Sequence, residues 1–364
     1  MKTFTCQCGK ILHFANSQCV ACGVMLGFLP DDLKLSALTP HNQSQKLGLY
    51  QANNGRLYRQ CKNYWQYSVC NWMVPIEDHN ELCPSCRLNT TIPNLNDEEN
   101  IGLWFNMEQA KRRLLYTLFK LSLPVVDRHT DAKSGLGFAF LEDELEDEYG
   151  NELTIKNYVL TGHNSGLITL NLNEALPSAR MEMREKMNES YRTLIGHFRH
   201  ESGHYYWDRL IKNSDRVIEF RQLFGDENIS YKQAMDNYYL NGPAANWQNV
   251  WISAYASMHP WEDWAETWAH YLHMVDTLET ASNVDLSISG HQVLNPLVKN
   301  AHVDKDYTAI SFTQLFNDWC RLTVALNSIN RSMGLDDAYP FVISITALDK
   351  LRFVHETIKY ESFT

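Results

Sequence analysis

Residues 198–208 read FRHESGHYYWD, in which a glutamate directly follows the first of two histidines four positions apart. On an α-helix, residues four apart lie on one face, so His200 and His204 can present both imidazoles to one metal ion. Glu201 then lies beside the water that such an ion binds. Because an HExxH string arises by chance in a chain of this size at about a few per cent, a third ligand has to decide whether this is the helix of a zinc hydrolase.

A later stretch offers that ligand. Residues 255–273 read YASMHPWEDWAETWAHYLH, and Pro260 suits the first turn of a helix. Glu262 and Glu266 are four apart and therefore share one face of that helix. Catalytic zinc takes three protein ligands plus water, and its histidines are commonly oriented by a carboxylate. We expect Glu262 to bind zinc and Glu266 to orient a ligating histidine through its second ring nitrogen.

The spacing leaves other assignments open. Glu266 can be the ligand, with Glu262 outside the site. Either His270 or His273 can be the third ligand, although we expect both to pack or hydrogen-bond along the helix. Asp208 is equally consistent with a supporting group and with an ordinary surface carboxylate. Two further histidines are expected to be structural: His163 and His197.

The composition disfavours several kinds of partner. The 364 residues carry 32 basic and 43 acidic side chains, for a net charge of -11. This balance disfavours general binding to nucleic acid or to anionic membranes. The N-terminal MKTFTCQCGK has no apolar segment after its lysine, and no stretch approaches the roughly 20 apolar residues of a membrane span. We expect a cytoplasmic protein with neither nucleic acid nor membrane as a partner.

Eight of the nine cysteines lie in the first 86 residues and define a module. Two pairs have CxxC spacing, which lets two thiolates approach one tetrahedral zinc ion. Sequence order divides the eight cysteines into two zinc sites: Cys6, Cys8, Cys19 and Cys22 in one, and Cys61, Cys70, Cys83 and Cys86 in the other. Because four thiolates close the coordination sphere, both sites are expected to be structural.

Other interpretations of this module are weaker. A disulfide framework is disfavoured in a reducing cytosol, and an iron–sulfur site is less favoured still. Four cysteines per site leave no vacancy for the histidines of the module: His13, His41 and His79. Residues 1–90 carry eight basic and five acidic side chains, and each four-thiolate zinc site adds about -2. The near-neutral balance favours a protein partner or a scaffolding role over DNA.

The pattern along the chain predicts an α+β fold in two domains, a zinc ribbon at 1–95 and an HExxH domain at 96–364. Period-two alternation predicts strands of a small antiparallel sheet: 135–140, 153–160 and 166–172. Helical spacing of apolar residues predicts helices: 103–124, 188–213, 243–258, 260–278, 312–326 and 347–358. The acidic run at 141–152 is expected to be a solvated loop. The strand at 166–172 is a candidate for the rim of a cleft, where an edge strand can pair with an extended substrate.

The chain resembles a known family through these motifs. HESGH followed by Y-x6-E-x3-E is similar to the gluzincin metallopeptidases, in particular to the catalytic domain of anthrax lethal factor. A closer resemblance covers nearly the whole chain. The N-terminal cysteines together with GHFRHESGHYYWDRL, SAYASMHPWEDWAETWAHYLH and VDTLETA resemble the bacterial family of zinc-binding metallopeptidases that carry an N-terminal zinc ribbon.

The resemblance implies a mainly helical gluzincin fold in a bacterial cytoplasmic protein. It implies His200, His204 and Glu262 as zinc ligands, with Glu201 as general base. The lethal factor pattern adds that Tyr255 aims its hydroxyl at the developing oxyanion, the alternative being a packing tyrosine.

The expected function is therefore that of a peptidase, which hydrolyses a peptide or protein substrate with a zinc-activated water. It would hold one catalytic and two structural zinc ions. Two alternatives stay open. One is a zinc-ribbon binding or regulatory protein with an inactive metalloprotease-like domain. The other is an amide hydrolase for non-protein substrates.

Overall fold

A computed structural model gives the fold and describes residues 2–41, 48–146, 154–186, 193–286, 288 and 310–362. The chain divides into two compact units, Met1–Lys120 with Pro124–Met187 and Leu121–Leu123 with Asn188–Thr364. The first unit contains small sheets and the second is built from helices, so the predicted α+β class is confirmed. Within the described residues, no helix is both long and apolar enough to cross a membrane.

The first unit begins with short strands that carry the cysteines between them. They are β1 (Phe4–Thr5), β2 (Ile11–Leu12), β3 (Leu26–Leu29), β4 (Lys34–Pro40), β5 (Leu49–Ala52), β6 (Leu57–Gln60) and β7 (Met73–Pro75). Strands β1 and β2 form a hairpin, and β3 to β7 form a five-stranded antiparallel sheet in sequence order. A single-turn helix, α1 (Lys62–Trp65), lies between β6 and β7.

A long helix, α2 (Glu98–Lys120), follows this region and packs against it, which confirms the helix predicted at 103–124. The centroid of the Tyr116 ring lies 5.5 Å from that of Phe14 and 6.1 Å from that of Phe28. The Phe28 ring in turn packs on Trp72 at 4.8 Å, and both are fully buried. Aromatic side chains bury large apolar areas, so the helix and the cysteine-rich strands share one hydrophobic core.

The remaining strands of the first unit are β8 (Asn89–Thr91), β9 (Gly137–Leu141), β10 (Glu144–Glu146), β11 (Thr154–Asn157), β12 (Gly162–Asn164) and β13 (Leu167–Asn171). Four of them form a sheet in the order β12-β13-β9-β8. The β12–β13 pair is antiparallel, but β12 was not among the predicted strands, and β13–β9 and β9–β8 are parallel. The predicted strand at 153–160 contributes β11, which pairs with β10 in a separate sheet, so the single antiparallel sheet predicted from 135–140, 153–160 and 166–172 was wrong. Because β13 is paired on both sides, it is also not the edge strand that was predicted at 166–172. For the β8–β9 pair the cause is that α2 connects the two strands as a crossover helix, which produces parallel strands. Within the acidic run predicted as a loop, Glu144–Glu146 instead forms β10, and 147–152 lies outside the described residues.

A short helix, α3 (Pro177–Lys186), ends the first unit. The helices of the second unit are α4 (Leu194–Leu210), α5 (Arg216–Phe224), α6 (Tyr231–Asn241), α7 (Pro260–Asn283), α8 (Phe312–Ser332) and α9 (Ile345–Ser362). Four of these, α4, α7, α8 and α9, confirm predicted helices, although 188–192 of the first lies outside the described residues. Neither α5 nor α6 was predicted. Both are short, α5 buries only Phe220 and Phe224, and α6 buries no residue, so neither has a wide apolar face.

The helix predicted at 243–258 is wrong. The segment contains only two 3₁₀ turns, Trp247–Asn249 and Tyr255–Ser257. Gly242 and Asn246 have positive φ angles of 78° and 56°, which a right-handed helix does not contain. The residues that suggested a helical period belong instead to an irregular connection that leads into α7.

Helices α4 and α7 form the central pair of the second unit, and their contact depends on a glycine. A Cβ placed on Gly203 would lie 2.9 Å from the backbone Cα of Ala265, closer than real Cβ contacts come. Two buried tryptophans of α7 also donate to α4, Trp264 to the Gly203 carbonyl at 2.8 Å and Trp268 to Ser202 Oγ at 3.2 Å. The close approach brings one face of α4 onto one face of α7.

Candidate functional site

The contact between α4 and α7 brings His200, His204 and Glu262 together. His200 Nε2 lies 2.9 Å from Glu262 Oε2, and His204 Nε2 lies 3.4 Å from Glu262 Oε1. One ligand atom of each residue lies within 4.8 Å of the others. Ligand atoms about 2.1 Å from a tetrahedral zinc ion lie about 3.4 Å from one another. Two imidazoles and a carboxylate at these separations therefore fit one zinc ion.

The electrostatics of this cluster favour a cation. Burial opposes ionisation of Glu262, but the nearby imidazoles of His204 and His200 outweigh it and hold the pKa of this carboxyl well below its usual range. Burial likewise opposes a charge on His200, yet hydrogen bonds and charge from Glu262 and Glu266 hold its pKa well above the usual range. A buried site with this much negative charge attracts a positive ion.

Glu266 lies behind His200 rather than among the ligand atoms. Its Oε1 is 2.6 Å from His200 Nδ1, and its Oε2 accepts a 2.6 Å hydrogen bond from Ser253 Oγ. Burial opposes its ionisation, but the contact with His200 lowers its pKa to about 2. A carboxylate on the second ring nitrogen fixes the tautomer and orientation of a ligating histidine. The geometry thus favours Glu262 as the ligand and Glu266 as the residue that orients His200.

The other histidines of α7 point away from the cluster. His270 Nδ1 lies 2.7 Å from the Tyr339 hydroxyl, and His273 Nδ1 lies 3.0 Å from Arg199 Nη1. Burial lowers the pKa of His270 to about 4 and also lowers that of His273. Neutral buried imidazoles with these partners have packing and hydrogen-bonding roles, as the sequence predicts.

Three residues that the sequence predicts to be structural or surface groups lie as follows. Asp208 Oδ1 forms a 2.9 Å ion pair with Lys212 Nζ, which lies just beyond the end of α4, and this is the surface arrangement. His163 Nε2 accepts from the Gly166 amide at 2.9 Å in the turn between β12 and β13. His197 lies in the first turn of α4, outside the ligand cluster found among the described residues.

Glu201 is buried beside the ligand cluster. Its Oε2 is buried and has no hydrogen-bond partner within the described part of the chain. Burial raises the pKa of its carboxyl above the ordinary value, although the neighbouring imidazoles of His200 and His204 act in the other direction. A carboxylate with a free oxygen and a raised pKa is suited to accepting a proton.

Tyr255 stands at the start of a 3₁₀ turn just before α7. The centroid of its ring lies 6.0 Å from that of His200 and 5.7 Å from that of Tyr238. Burial, followed by the charge of Glu262, raises the pKa of its hydroxyl well above the usual range. The phenol therefore stays protonated at all physiological pH values and can act as a hydrogen-bond donor.

Sequence reasoning missed several residues that touch the predicted ligands. The hydroxyl of Tyr231 donates to Glu262 Oε1 at 2.9 Å, and the Trp261 ring packs on the His204 ring at 3.8 Å. Ser253, which holds Glu266, was not identified either. Trp261 could have been noticed because it directly precedes Glu262. Tyr231 and Ser253 lie in segments whose secondary structure was not predicted correctly, so no local signal pointed to them.

The first cysteine cluster has the geometry of a zinc site. The Sγ atoms of Cys6 and Cys22 are 3.7 Å apart, as are those of Cys8 and Cys19. Thiolates about 2.3 Å from a tetrahedral zinc ion lie about 3.8 Å from one another. A disulfide would require about 2.05 Å. All four cysteines are free, so the described geometry fits zinc and not a disulfide framework.

The second cysteine cluster is fully buried and has the same spacing. Cys70 Sγ and Cys83 Sγ are 3.8 Å apart, and the four cysteines of the site are free. Three backbone amides point at its sulfurs, from Trp72 to Cys70, from Cys83 to Cys61 and from Cys86 to Cys83. Amides directed at sulfur stabilise thiolate charge. The second cluster therefore has the spacing and the hydrogen bonds that stabilise thiolates around a buried metal ion.

Helix α2 supplies a positive charge to this second cluster. Arg112 is buried and donates to the Val69 carbonyl at 2.6 Å. Burial opposes its charge, but Cys70, Glu108 and the other thiolates raise its pKa above the usual value. A four-thiolate zinc site carries about -2, so a buried guanidinium offsets part of the cost of burying it. The second cysteine cluster is thus built partly from α2, beyond the predicted end of the zinc ribbon.

Gently purified protein is expected to contain three zinc ions per chain, because the described residues hold three clusters with zinc-compatible spacing. Elemental analysis together with a free-thiol titration would measure this. Two of the ions should exchange slowly, since closed four-thiolate sites leave no position for an incoming ligand. A value near one, with the thiols paired, would contradict the assignment of the cysteine clusters.

The fold and the three clusters match a zinc-ribbon protein with a cluster of two histidines and one carboxylate spaced to hold a metal ion. A family model described as "Putative zinc-binding metallo-peptidase" matches residues 100–357, and a model described as a zinc-ribbon domain matches residues 3–97. The chain belongs to this family of zinc-binding metallopeptidases.

Three relatives span nearly the same length. They are uncharacterized proteins of Mycobacterium bovis (Mb2598c) and Mycobacterium tuberculosis (MT2644 and Rv2568c). Each is 38% identical to this chain over 360 residues, covering 98% of this chain and 95% of the relative. No solved structure matches the chain.

Proposed function

We propose that the chain is a zinc-dependent peptidase of the gluzincin type. In this proposal His200, His204 and Glu262 hold the catalytic zinc ion, and Glu201 is the general base. The observation that carries it is the buried Oε2 of Glu201, which has no hydrogen-bond partner within the described residues and lies beside a three-residue ligand cluster.

A structural role does not account for that glutamate. Leaving a buried polar group without a partner costs about 1–3 kcal/mol, and more when the group is charged. A purely structural metal site needs only its ligands, so a glutamine or an apolar residue at position 201 would be less costly. The cost is understandable if the free oxygen is reserved for a water and its proton during reaction.

We propose the following reaction from the positions of the side chains. Zinc, when bound, supplies a Lewis acid that polarises a peptide carbonyl and lowers the pKa of water towards about 7. Glu201 accepts a proton from the attacking water at its free oxygen, while the water oxygen forms a bond to the carbonyl carbon. Tyr255 donates a hydrogen bond to the oxyanion that develops on the carbonyl oxygen. Glu201 then delivers its proton to the amide nitrogen as the C–N bond breaks, which leaves a carboxylic acid and an amine.

The cysteine clusters have a structural role in this proposal. We assign residues 1–95 to a zinc ribbon with two closed zinc sites and residues 96–364 to the peptidase domain. The near-neutral ribbon is proposed to contact protein, either the substrate or a partner, rather than nucleic acid. Because α2 supplies Arg112 to the second cluster, removal of zinc from that cluster should also disturb α2.

The proposal is tested with purified, zinc-loaded protein on casein and on a mixed peptide library. We expect cleavage that a chelator abolishes and added zinc restores, with new peptide ends identified by mass spectrometry. Hydrolysis of small non-peptide amides alone would favour the amide hydrolase. Three bound zinc ions with no cleavage of either substrate would favour a binding or regulatory protein with an inactive domain.

A further inference from the structure

Tyr231 touches the proposed metal ligand directly, although the mechanism above gives it no part. It is the first residue of α6, and the Ser230 side chain caps this helix by accepting from the Gln233 amide. Its hydroxyl donates to Glu262 Oε1 at 2.9 Å. The other oxygen, Glu262 Oε2, is buried and lies 2.9 Å from His200 Nε2, whereas Oε1 also lies 3.4 Å from His204 Nε2. The two oxygens of one carboxylate are therefore in different environments.

We propose that Tyr231 is a positioning residue that makes Glu262 a ligand through one oxygen. The phenol occupies Oε1 and leaves Oε2 for the metal ion. This inference rests on the proposed ligand set and adds a residue that holds it in place. A carboxylate can bind a metal ion through one oxygen or through both. Binding through both would take a coordination position that a catalytic site keeps for water or substrate.

The surroundings of Tyr231 support a role in holding Glu262 rather than in packing a hydrophobic core. None of the residues of α6 is buried, so this helix is not held by an apolar face. The Tyr231 ring stands edge-on to His259 at 5.3 Å and to Trp261 at 6.0 Å, the residues that begin the turn into Glu262. The hydroxyl and the ring therefore both act on the segment that presents the carboxylate.

Tyr231 and Tyr255 have separate tasks in this arrangement. The Tyr231 hydroxyl donates to Glu262, whereas the Tyr255 ring lies next to His200, and the two hydroxyls also hydrogen-bond each other. Removing the Tyr231 hydroxyl should therefore weaken metal binding, and removing the Tyr255 hydroxyl should weaken turnover. Loss of a group that orients a ligand typically reduces metal affinity by about 10–100-fold.

The test compares Tyr231→Phe with Tyr239→Phe, which removes a hydroxyl from an exposed position on the same helix. Competition with a chromophoric chelator would measure the affinity of the most weakly held zinc ion. We expect Tyr231→Phe to lower the affinity for that ion by about 10–100-fold and to leave the affinity for the two cysteine-bound ions unchanged. Equal affinities in the two variants would overturn the proposal.

Two further measurements isolate the mechanism. In a Glu262→Gln background, Tyr231→Phe should have little additional effect, because residues that act through one contact are not additive. Independent, additive losses would mean that Tyr231 acts elsewhere. With Co²⁺ in the catalytic site, Tyr231→Phe should weaken the visible absorption, because a second carboxylate oxygen raises the coordination number. An unchanged spectrum would exclude a change from one-oxygen to two-oxygen binding.

These readouts do not depend on peptidase activity. If wild-type protein cleaves no peptide but Tyr231→Phe weakens zinc binding, the positioning role stands and the proposed function fails. If the enzyme is active and the zinc affinity of Tyr231→Phe equals that of Tyr239→Phe, the positioning role fails and the proposed function stands.

Discussion

Glu201→Gln is expected to keep its three zinc ions and to lose peptidase activity. Glutamine has almost the same shape as glutamate, and Glu201 is not among the ligand atoms of the cluster, so the metal centre should remain intact. The amide cannot accept the proton that the attacking water must lose. Removal of a general base typically lowers kcat by about 10²–10⁴-fold. Steady-state kinetics and zinc analysis of the same preparation would measure both quantities.

A matched control makes this result specific. Glu219→Gln makes the same substitution on α5, at a side chain that is about half exposed. It should leave both zinc content and kcat unchanged. Glu201→Gln protein that retained full activity would remove Glu201 from the mechanism and leave only the metal ligands as support for the proposed function. The same inactive variant, incubated with cell lysate and crosslinked, should retain bound substrate for identification.

Tyr255→Phe is expected to fold normally, keep all its zinc and lose most of its activity. The tyrosine is largely buried next to the ligand His200, and its hydroxyl stays protonated because burial raises its pKa. A donor that bonds only to the transition-state oxyanion contributes to turnover and little to substrate binding. Loss of one such donor typically lowers kcat by about 10²–10³-fold. The change in KM should therefore be smaller than the change in kcat.

Tyr360→Phe, at an exposed position on α9, is the control for loss of a hydroxyl. Wild-type kinetics in Tyr255→Phe would reduce Tyr255 to a packing residue. The comparison with Tyr231→Phe separates two kinds of tyrosine. Tyr255→Phe should lose turnover and retain zinc, whereas Tyr231→Phe should lose zinc affinity first.

The sequence alone was sufficient where the chemistry is local. Two histidines four apart share a helix face whatever surrounds them, and eight clustered cysteines divide into two zinc sites by spacing and order. The helices with a strong apolar period were also predicted. The α+β class followed from the order of strands and helices along the chain.

Other features were decided by contacts between distant parts of the chain. Glu262 and Glu266 share one helix face, so their spacing could not choose the ligand. The choice depends on how α7 packs on α4, where Gly203 permits a close approach and Ser253 binds Glu266.

Tyr231, the parallel strands beside β9 and the irregular segment at 243–258 carried no decisive local pattern either. The hydrophobic period and the ligand spacing each describe only residues that are close together in the sequence. The partner of a ligand, the direction of a neighbouring strand and the end of a weak helix are set by packing between segments far apart in sequence, and only the tertiary structure contains that information.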